Sequence, residues 1–243
     1  IVKESILTDK IKPLDHTEAY NKAEPFAHIS FNNLFEAEKL KDVAQEFPTM
    51  ENLMSDKSGR TTQKKLTYKT KHGRILDKLQ PKTKEFCEFM NSPEMLKWLE
   101  DLTGIKNLIA DDTLEGGGPH SIKKGGFLKM HVDFNVHPKT RYDRRLNVLV
   151  YLNDNWEKSW GGYLEMWKDM KEDTIKKSFD PLFNTTVIFN TTDKSWHGHP
   201  DPMNCPEHIV RRSLAFYYYT KPEVESEAHN TIYVERPGEK FKK

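Results

Sequence analysis

The spacing of apolar residues divides the chain into a helical first part and a strand-rich second part. Residues 25–31 alternate as a strand does, and apolar residues recur at helical spacing over 33–47 and 84–103. Gly104 is expected to end the second helix, because glycine readily adopts the left-handed conformation that closes helices. We therefore predict that residues 1–115 are mostly helical support with a leading strand.

From residue 116 onward, short apolar or alternating runs are separated by turn-forming residues. Strands at this spacing are typical of a sandwich or barrel. The glycines at 116–118 predict a turn, because they lack the lysine and the strand–helix context of a phosphate-binding loop. We assign 116–222 to the β core and 223–243 to a C-terminal extension with a disordered lysine-rich end. The predicted strands cover 126–134, 146–152, 162–167, 185–190 and 210–220.

Composition narrows the class of protein. The 243 residues suffice for one sizeable core, so we predict a single domain over 1–243. A net charge of +1 gives no electrostatic reason to expect a nucleic acid or a membrane as partner. The two cysteines, Cys87 and Cys205, are too few for a disulfide framework, which suits a reducing compartment. Because the chain also lacks a long apolar run and an apolar leader at its start, we predict a cytosolic protein.

Two histidines and one carboxylate suggest a metal site. His131 and Asp133 are two positions apart on a predicted strand, so their side chains point to the same side. A further imidazole from His197 or His199 would complete two neutral nitrogens and one anionic oxygen. This set holds one side of a ferrous ion and leaves the other open for a 2-oxo acid and dioxygen. A surface histidine and a turn aspartate would give the same spacing, so the first pair alone is weak evidence.

The strand predicted at 210–220 strengthens the metal hypothesis. Arg211 and Ser213 share one face of this strand, and a guanidinium and a hydroxyl can bind the same carboxylate. The pair would hold the distal carboxylate of 2-oxoglutarate. Taken alone, Arg211 could equally be an exposed charge beside Arg212. Its position after the histidine and aspartate motif and the distal histidine favours the functional interpretation.

Residues 116–222 resemble the prolyl-4-hydroxylase-like branch of the Fe(II)- and 2-oxoglutarate-dependent oxygenases. Residues 25–47 also resemble the leading strand and helix of that family, so most of the chain is covered. The resemblance implies a mainly β fold with supporting helices, built on a double-stranded β-helix, or jelly roll. Its motifs follow in the family's order at 125–133, 145–153, Trp156, 161–165, 181–189, 195–200 and 211–213.

The resemblance also implies roles for individual residues. The third iron ligand is His197 rather than His199, and His199 lies beside the metal or against the substrate. Where the family often has a tyrosine, this chain has His120. The groups that hold the near end of 2-oxoglutarate are therefore not assigned. The implied iron-binding and catalytic residues are His131, Asp133 and His197. The implied 2-oxoglutarate-binding residues are Arg211, Ser213 and Tyr151.

The implied reaction is oxidative decarboxylation of 2-oxoglutarate coupled to oxidation of a C–H bond. It requires Fe(II), 2-oxoglutarate and O2, with ascorbate as a possible reductant, and it releases succinate and CO2. Asp133 favours hydroxylation or desaturation, because halogenating relatives have a small residue at that position. The partner is a peptide or a small molecule, with a prolyl residue as the first hypothesis and amino acids, sugars and lipids as alternatives. The basic loop at 135–145 hints at an anionic substrate group, but a solvated loop is the preferred interpretation.

Other classes of protein share parts of this pattern. A cupin-like zinc hydrolase or a non-catalytic metal or 2-oxoglutarate sensor could use the same three ligands. A hydrolase, however, has no need of the carboxylate clamp at Arg211. An interaction module would rest only on the aromatic content of 11%, and these aromatics are better explained as core and cleft wall. A nucleic-acid demethylase would carry further arginines and a basic face.

Overall fold

The computed structural model describes residues 5–48, 54–55, 63–64, 66–67 and 74–241. The α-helices are α1 (Thr17–Lys22), α2 (Ala37–Gln45), α3 (Pro81–Met90) and α4 (Pro93–Thr103). The first seven strands are β1 (His28–Asn32), β2 (Met54–Ser55), β3 (Gln63–Lys64), β4 (Leu66–Thr67), β5 (Ile109–Ala110), β6 (Gly118–Ile122) and β7 (Phe127–Val132). The others are β8 (Asp143–Tyr151), β9 (Leu164–Trp167), β10 (Lys176–Phe179), β11 (Thr185–Asn190), β12 (Trp196–His199), β13 (Arg211–Thr220) and β14 (Ile232–Tyr233).

Two antiparallel sheets form the core of the fold. The larger sheet has the strand order β1-β11-β8-β13-β6-β4-β2, with β5 also paired to β13. The smaller sheet has the order β10-β9-β12-β7-β14, with β3 also paired to β7. This arrangement confirms the predicted mainly β jelly roll with supporting helices. None of the described helices has the length and apolar character to span a bilayer.

Strand β8 explains how the helices join the sheets. Leu146, Val148 and Val150 share one buried cluster with residues of the helices, whereas Leu149 and Tyr151 belong to a second cluster with strands of the smaller sheet. Side chains alternate between the two faces of a strand, so β8 is buried on both sides. Its near-continuous apolar sequence follows from this double burial.

The regular alternation of β8 fails at its beginning. Leu146 pairs with Tyr218 on β13, but Arg144 pairs with the next residue, Tyr219, so Arg145 is an additional residue in the ladder. Such a bulge can turn a side chain to the opposite face of its sheet. Strict alternation from Leu146 would direct Arg144 toward the helices. The bulge instead directs it between the sheets, where it contacts Asn147.

The helical region differs from the sequence prediction at one point. A single helix was expected at 84–103, but α3 ends at Met90 and α4 begins at Pro93. The Ser92 side chain accepts a hydrogen bond from the backbone N–H of Met95, which caps α4. Proline also disfavours helical geometry in the residue before it, so the apolar spacing continues while the helix restarts. Gly104 ends α4 in the left-handed conformation, as predicted.

The predicted strands are confirmed with shifted ends, and several strands were missed. β6, β10, β12 and the two-residue strands have no clear apolar alternation. β6 is the most informative miss, because its sequence Gly-Pro-His-Ser-Ile resembles a turn although all five residues are buried. The glycine turn predicted at 116–118 therefore needs correction. Gly116 lies in a turn, but Gly118 already begins β6.

The C-terminal extension is attached to the smaller sheet. β14 pairs with β7, where Tyr233 lies opposite His131. Glu239, in the stretch expected to be disordered, lies 2.5 Å from Lys129 Nζ and also pairs with Arg236. The disorder prediction is wrong for Glu239, because these partners sit on ordered parts of the fold. Residues 242–243 lie outside the described residues.

Candidate metal centre

Three side chains meet between the two sheets, at the β7–β12 pair. His131 lies on β7 and His197 lies opposite it on β12, while Asp133 follows directly after β7 ends. One potential ligand atom from each residue lies within 4.8 Å of the others. The Asp133 carboxylate reaches 3.5 Å from His131 Nε2 and 3.4 Å from His197 Nε2. The sequence selected the same three residues as ligands.

Both imidazoles are oriented by the backbone of their own strands. His131 Nδ1 lies 2.8 Å from the Lys129 carbonyl oxygen, and His197 Nδ1 lies 2.8 Å from the Ser195 carbonyl oxygen. A carbonyl can only accept a hydrogen bond, so Nδ1 carries a proton in each ring, and Nε2 is the atom that can offer a lone pair to a metal. Both Nε2 atoms face Asp133, which is the arrangement that metal-binding histidines use.

Burial keeps His197 neutral. Its pKa is lowered to about 4, mainly because burial disfavours the charged form and secondarily because His131 is close. The Phe189 ring packs edge-on against the imidazole at a centroid distance of 4.7 Å. His197 thus meets the two requirements of a metal ligand, since it is unprotonated at neutral pH and fixed in orientation.

Asp133 is held as an anion by its neighbours. Burial alone would raise its pKa, but the Arg144 guanidinium, together with His197 and His131, holds the pKa well below its ordinary value. Arg144 Nη2 lies 3.2 Å from Asp133 Oδ2, and Asn147 Nδ2 donates a hydrogen bond of 2.7 Å to the same oxygen. The potential ligand set is therefore two imidazole nitrogens and one carboxylate. This chemistry fits a ferrous ion with an open side.

Arg144 is a functional candidate that the sequence analysis missed. It was placed in a solvated basic loop at 135–145, yet its side chain is 1% exposed. Its guanidinium carbon lies 3.6 Å from the centre of the Tyr217 ring and 4.4 Å from that of Phe134. The solvated-loop interpretation is correct for Arg141, which is exposed, and wrong for Arg144. The sequence could not indicate this burial, because two arginines are adjacent here and only the bulge in β8 determines which of them points between the sheets.

The residues of the predicted clamp lie together on the larger sheet. Ser213 on β13 pairs with Tyr151 on β8 and with His120 on β6, so these three side chains form one row across the sheet. Arg211 Nη2 lies 3.4 Å from the Tyr151 hydroxyl oxygen, and Arg211 Nε donates a 2.6 Å hydrogen bond to the Gly162 carbonyl. Burial raises the pKa of Tyr151, so its phenol keeps its proton. All four side chains line the cavity that contains the metal triad.

The environment of Arg211 suits an anionic ligand. The residue is 4% exposed, and its hydrogen-bond partners among the described residues, the Gly162 carbonyl and the Tyr151 hydroxyl, are neutral. A buried charge without a counter-ion is costly, and a bound carboxylate would relieve that cost. Gly162 permits the close approach, since a Cβ there would lie 3.1 Å from Arg211 Cδ and 2.8 Å from Met203 Sδ. The position therefore fits one end of a dicarboxylate whose other end faces the metal triad.

Two further histidines line the same cavity. His199 is on β12 but lies outside the triad of potential ligand atoms, and a bulge in the β12–β7 pairing separates it from His197. Gly198 between them allows the two strands to approach closely, since a Cβ there would lie 2.7 Å from the Leu128 carbonyl oxygen. His120 Nε2 lies 3.1 Å from the Gly116 carbonyl oxygen. Both histidines are buried within reach of a ligand between the triad and Arg211.

A larger cleft of about 540 Å³ adjoins the metal triad. Phe134, next to Asp133 in the chain, lines one side, and Tyr233 lines another with its ring centroid 5.4 Å from that of His131. The Asn135 amide ties the cleft walls together, because it donates to the Glu227 carbonyl and accepts from the backbone N–H of His229. This cleft was not predicted, since the C-terminal extension carries no motif.

Comparison with known families agrees with the sequence resemblance. Residues 118–219 match the family model described as the 2OG-Fe(II) oxygenase superfamily. This match contains the three triad residues and the clamp. No curated protein matches the chain in sequence.

Solved structures with the same fold include two prolyl hydroxylases and HygX. A prolyl-4-hydroxylase from Pseudomonas putida aligns with a TM-score of 0.53 at 14% identity, covering 87% of this chain and 100% of that chain. A prolyl hydroxylase from Trichoplax adhaerens, in complex with a hypoxia inducible factor oxygen degradation domain peptide fragment, gives 0.57 at 14%, covering 85% and 88%. HygX from Streptomyces hygroscopicus, with nickel, 2-oxoglutarate and hygromycin B bound, gives 0.54 at 12%, covering 88% and 89%. At these identities the similarity establishes the fold.

Proposed function

We propose that the chain is a 2-oxoglutarate-dependent dioxygenase, and that His131, Asp133 and His197 hold its Fe(II). In this proposal Arg211, with Ser213 and Tyr151 beside it, binds the far carboxylate of 2-oxoglutarate. The observation that carries it is the presence of both groups in one buried cavity, with an anionic carboxylate at one end and a buried guanidinium at the other.

Each residue contributes a definite step. The Nε2 atoms of His131 and His197 and the carboxylate of Asp133 would hold the ion from one side, which would leave the other side for the co-substrates. The guanidinium of Arg211 orients 2-oxoglutarate so that its 2-oxo acid end faces the triad. When bound, Fe(II) with 2-oxoglutarate and O2 supplies the oxidation, which yields succinate, CO2 and a hydroxylated C–H position.

We propose that the substrate enters through the cleft beside the triad, between Phe134 and Tyr233. A prolyl residue of a peptide is the first candidate, because two of the similar structures are prolyl hydroxylases. A polar small molecule is the second, because HygX has the same fold and was solved with hygromycin B bound. The cleft volume of about 540 Å³ accommodates a short peptide segment or a small molecule.

A metal-dependent hydrolase or a non-catalytic sensor would use the triad differently. A hydrolase needs an activated water but no buried guanidinium for a diacid, so Arg211 disfavours it. A sensor would bind 2-oxoglutarate without consuming it. Release of succinate in step with loss of 2-oxoglutarate separates the oxygenase from both.

Ferrous iron requires a reducing environment, and we propose a cytosolic location for this reason. Cys87 and Cys205 are both buried free thiols, which agrees with a reducing compartment. Ascorbate would serve as the reductant that returns inactive iron to the ferrous state. The absence of a nucleic-acid or membrane partner stays a prediction from the near-zero net charge.

The proposal is tested by aerobic turnover with Fe(II), 2-oxoglutarate and ascorbate against two libraries, proline-containing peptides and polar metabolites. We expect succinate release to rise with one class of substrate and the product to gain one oxygen atom by mass. A matched reaction under nitrogen should give no product. If no divalent metal binds to the purified protein, or if 2-oxoglutarate is bound but never decarboxylated with any substrate, the assignment fails.

A further inference from the structure

We propose that Arg144 is a positioning residue that, together with Asn147, holds the Asp133 carboxylate in the orientation in which it faces both Nε2 atoms of the triad. This inference rests on the proposed iron site. It concerns a residue outside the predicted ligands and clamp. The expected result is a carboxylate that keeps this orientation when a metal binds.

The two donors converge on a single oxygen atom. Asn147 Nδ2 donates to Asp133 Oδ2 at 2.7 Å, and Arg144 Nη2 lies 3.2 Å from the same Oδ2. Arg144 also donates to Asn147 Oδ1 from Nε at 3.1 Å and from Nη2 at 2.7 Å. The three side chains thus form a closed triangle in which each is tied to the other two. No free rotation of the Asp133 carboxylate is compatible with all of these contacts.

This triangle has a consequence for coordination. Oδ1 of Asp133 lies 3.5 Å from His131 Nε2, and Oδ2 lies 3.4 Å from His197 Nε2. Rotation of the carboxylate would take its oxygens away from these positions. The contacts of Oδ2 with Asn147 and Arg144 oppose that rotation, so the carboxylate stays directed at the point where the three side chains meet.

The guanidinium of Arg144 is itself fixed in place. It lies over the Tyr217 ring at 3.6 Å and near the Phe134 ring at 4.4 Å, and its side chain is 1% exposed. The Tyr217 hydroxyl donates to the Gly116 carbonyl, so the ring cannot move away freely. The β8 bulge directs Arg144 inward in the first place. A surface arginine that only balanced charge would need none of these contacts.

The neighbouring arginine provides a matched control. Arg145 is adjacent in sequence and carries the same charge, but its guanidinium donates to Thr220 Oγ1 at 3.0 Å instead of Asp133. Replacing Arg145 therefore removes one positive charge from the same strand without touching the triangle. Any effect of general charge or of strand stability is common to both positions.

The first test measures Mn(II) binding by electron paramagnetic resonance, without oxygen or 2-oxoglutarate. We expect Arg144→Gln to weaken Mn(II) binding by about 10- to 100-fold, as is usual when a partner of a metal ligand is lost. Arg145→Gln should stay within about 2-fold of the unmodified protein. Arg144→Lys keeps the charge but cannot bridge Asp133 and Asn147, so it should remain clearly weakened. Full recovery of affinity in Arg144→Lys would overturn the proposal, since charge alone would then suffice.

A second variant covers the possibility that Arg144→Gln does not fold. Asn147→Ser removes the shorter hydrogen bond to Oδ2 while Arg144 stays in place, and we expect weaker Mn(II) binding by the same route. Unchanged affinity in Asn147→Ser and Arg144→Gln would overturn the positioning role while leaving the metal site intact. Failure of the unmodified protein to bind Mn(II) would instead reject the proposed function.

A structure of the protein with Mn(II) gives the direct readout. We expect the Asp133 carboxylate on the metal, with Oδ2 still in contact with Asn147 and Arg144. Arg144 turned away from Asp133, or a carboxylate rotated away from Asn147, would overturn the proposal.

Discussion

One buried arginine lies behind Asp133 and another lines the cavity at the predicted clamp, and the two arginines have different partners. Arg144 and Arg211 are both 4% exposed. Arg144 is paired with the Asp133 carboxylate, whereas Arg211 contacts a carbonyl and a phenol. A buried cation that is paired with a protein carboxylate is already neutralised. A buried cation with only neutral partners is neutralised only when an anion binds. This difference in partners, at equal burial, agrees with the proposed positioning role of Arg144 and the proposed ligand-binding role of Arg211.

The proposed difference in role between Arg144 and Arg211 depends on a metal site beside Asp133. We expect His131→Ala to abolish succinate release, because the ion would lose one of its three protein ligands and a ligand loss of this kind removes the reactive centre. Succinate release in the presence of a confirmed substrate is the measurement. Circular dichroism should show an unchanged fold, since no ion pair is broken. Continued turnover in a folded variant would refute the site.

The stability of the ligand-free protein separates the two arginines. Arg144→Gln leaves Asp133 as a buried carboxylate without its cation, so we expect a loss of about 3–5 kcal/mol in the free energy of unfolding. For a chain of this size the melting temperature should fall by on the order of 10 °C. Arg211→Gln removes a charge that lacks a counter-ion, so its free energy of unfolding should change by only about 1 kcal/mol.

Thermal unfolding of both variants without metal or 2-oxoglutarate provides the measurement. An equal loss of stability at the two positions would contradict the distinction between them, because Arg211 would then be as structural as Arg144.

For the affinity for 2-oxoglutarate, we expect the opposite ranking from that for stability, with the larger effect at Arg211. Arg211→Ala removes the partner of the distal carboxylate, and we expect the 2-oxoglutarate concentration for half-maximal turnover to rise by about two decades. This corresponds to about 3 kcal/mol, within the range for the loss of a buried charged partner. Arg145→Gln serves as the control and should not change the requirement. An unaltered 2-oxoglutarate requirement in Arg211→Ala would reject the clamp.

The smallest effect on stability is expected at an ion pair with a partly exposed arginine. Arg236 pairs with Glu239 near the surface, and although burial would raise the pKa of Glu239, Arg236 and Lys129 lower it to about 2. A carboxyl pKa below its unfolded value adds stability that is present above about pH 4.5 and is lost as the pH falls toward 2. Glu239→Gln should therefore cost at most about 1 kcal/mol at pH 7, since exposed pairs are screened. The deficit should shrink at pH 3 in urea unfolding, and a constant deficit would contradict the ion-pair origin.

Much of the site could be predicted because its chemistry requires residue types in a fixed order. His131 and Asp133 lie at strand spacing, and Arg211 and Ser213 share a strand face, so alternation alone brings each pair to one side. The structure places these side chains in one cavity together with Tyr151. Sequence spacing was informative here because these stretches are regular.

The sequence predictions failed where the backbone departs from regular geometry. Arg144 was misassigned because the β8 bulge cannot be read from two adjacent arginines. β6 was missed because Gly118 and Pro119 suggest a turn, although β13 on one side pairs with the whole strand. The contact of Tyr233 with His131 depends on a chain segment about a hundred residues away, so no local pattern could indicate it.

The pairing of β14 with β7 has a practical consequence for anyone who shortens or tags this protein. Tyr233 lies against an imidazole of the metal triad, and Glu239 beyond it pairs with Lys129. A truncation that ends before residue 232 would therefore open one flank of the triad to bulk solvent. Affinity tags on this side belong beyond Glu239, and activities of two preparations should be compared only when both retain this segment.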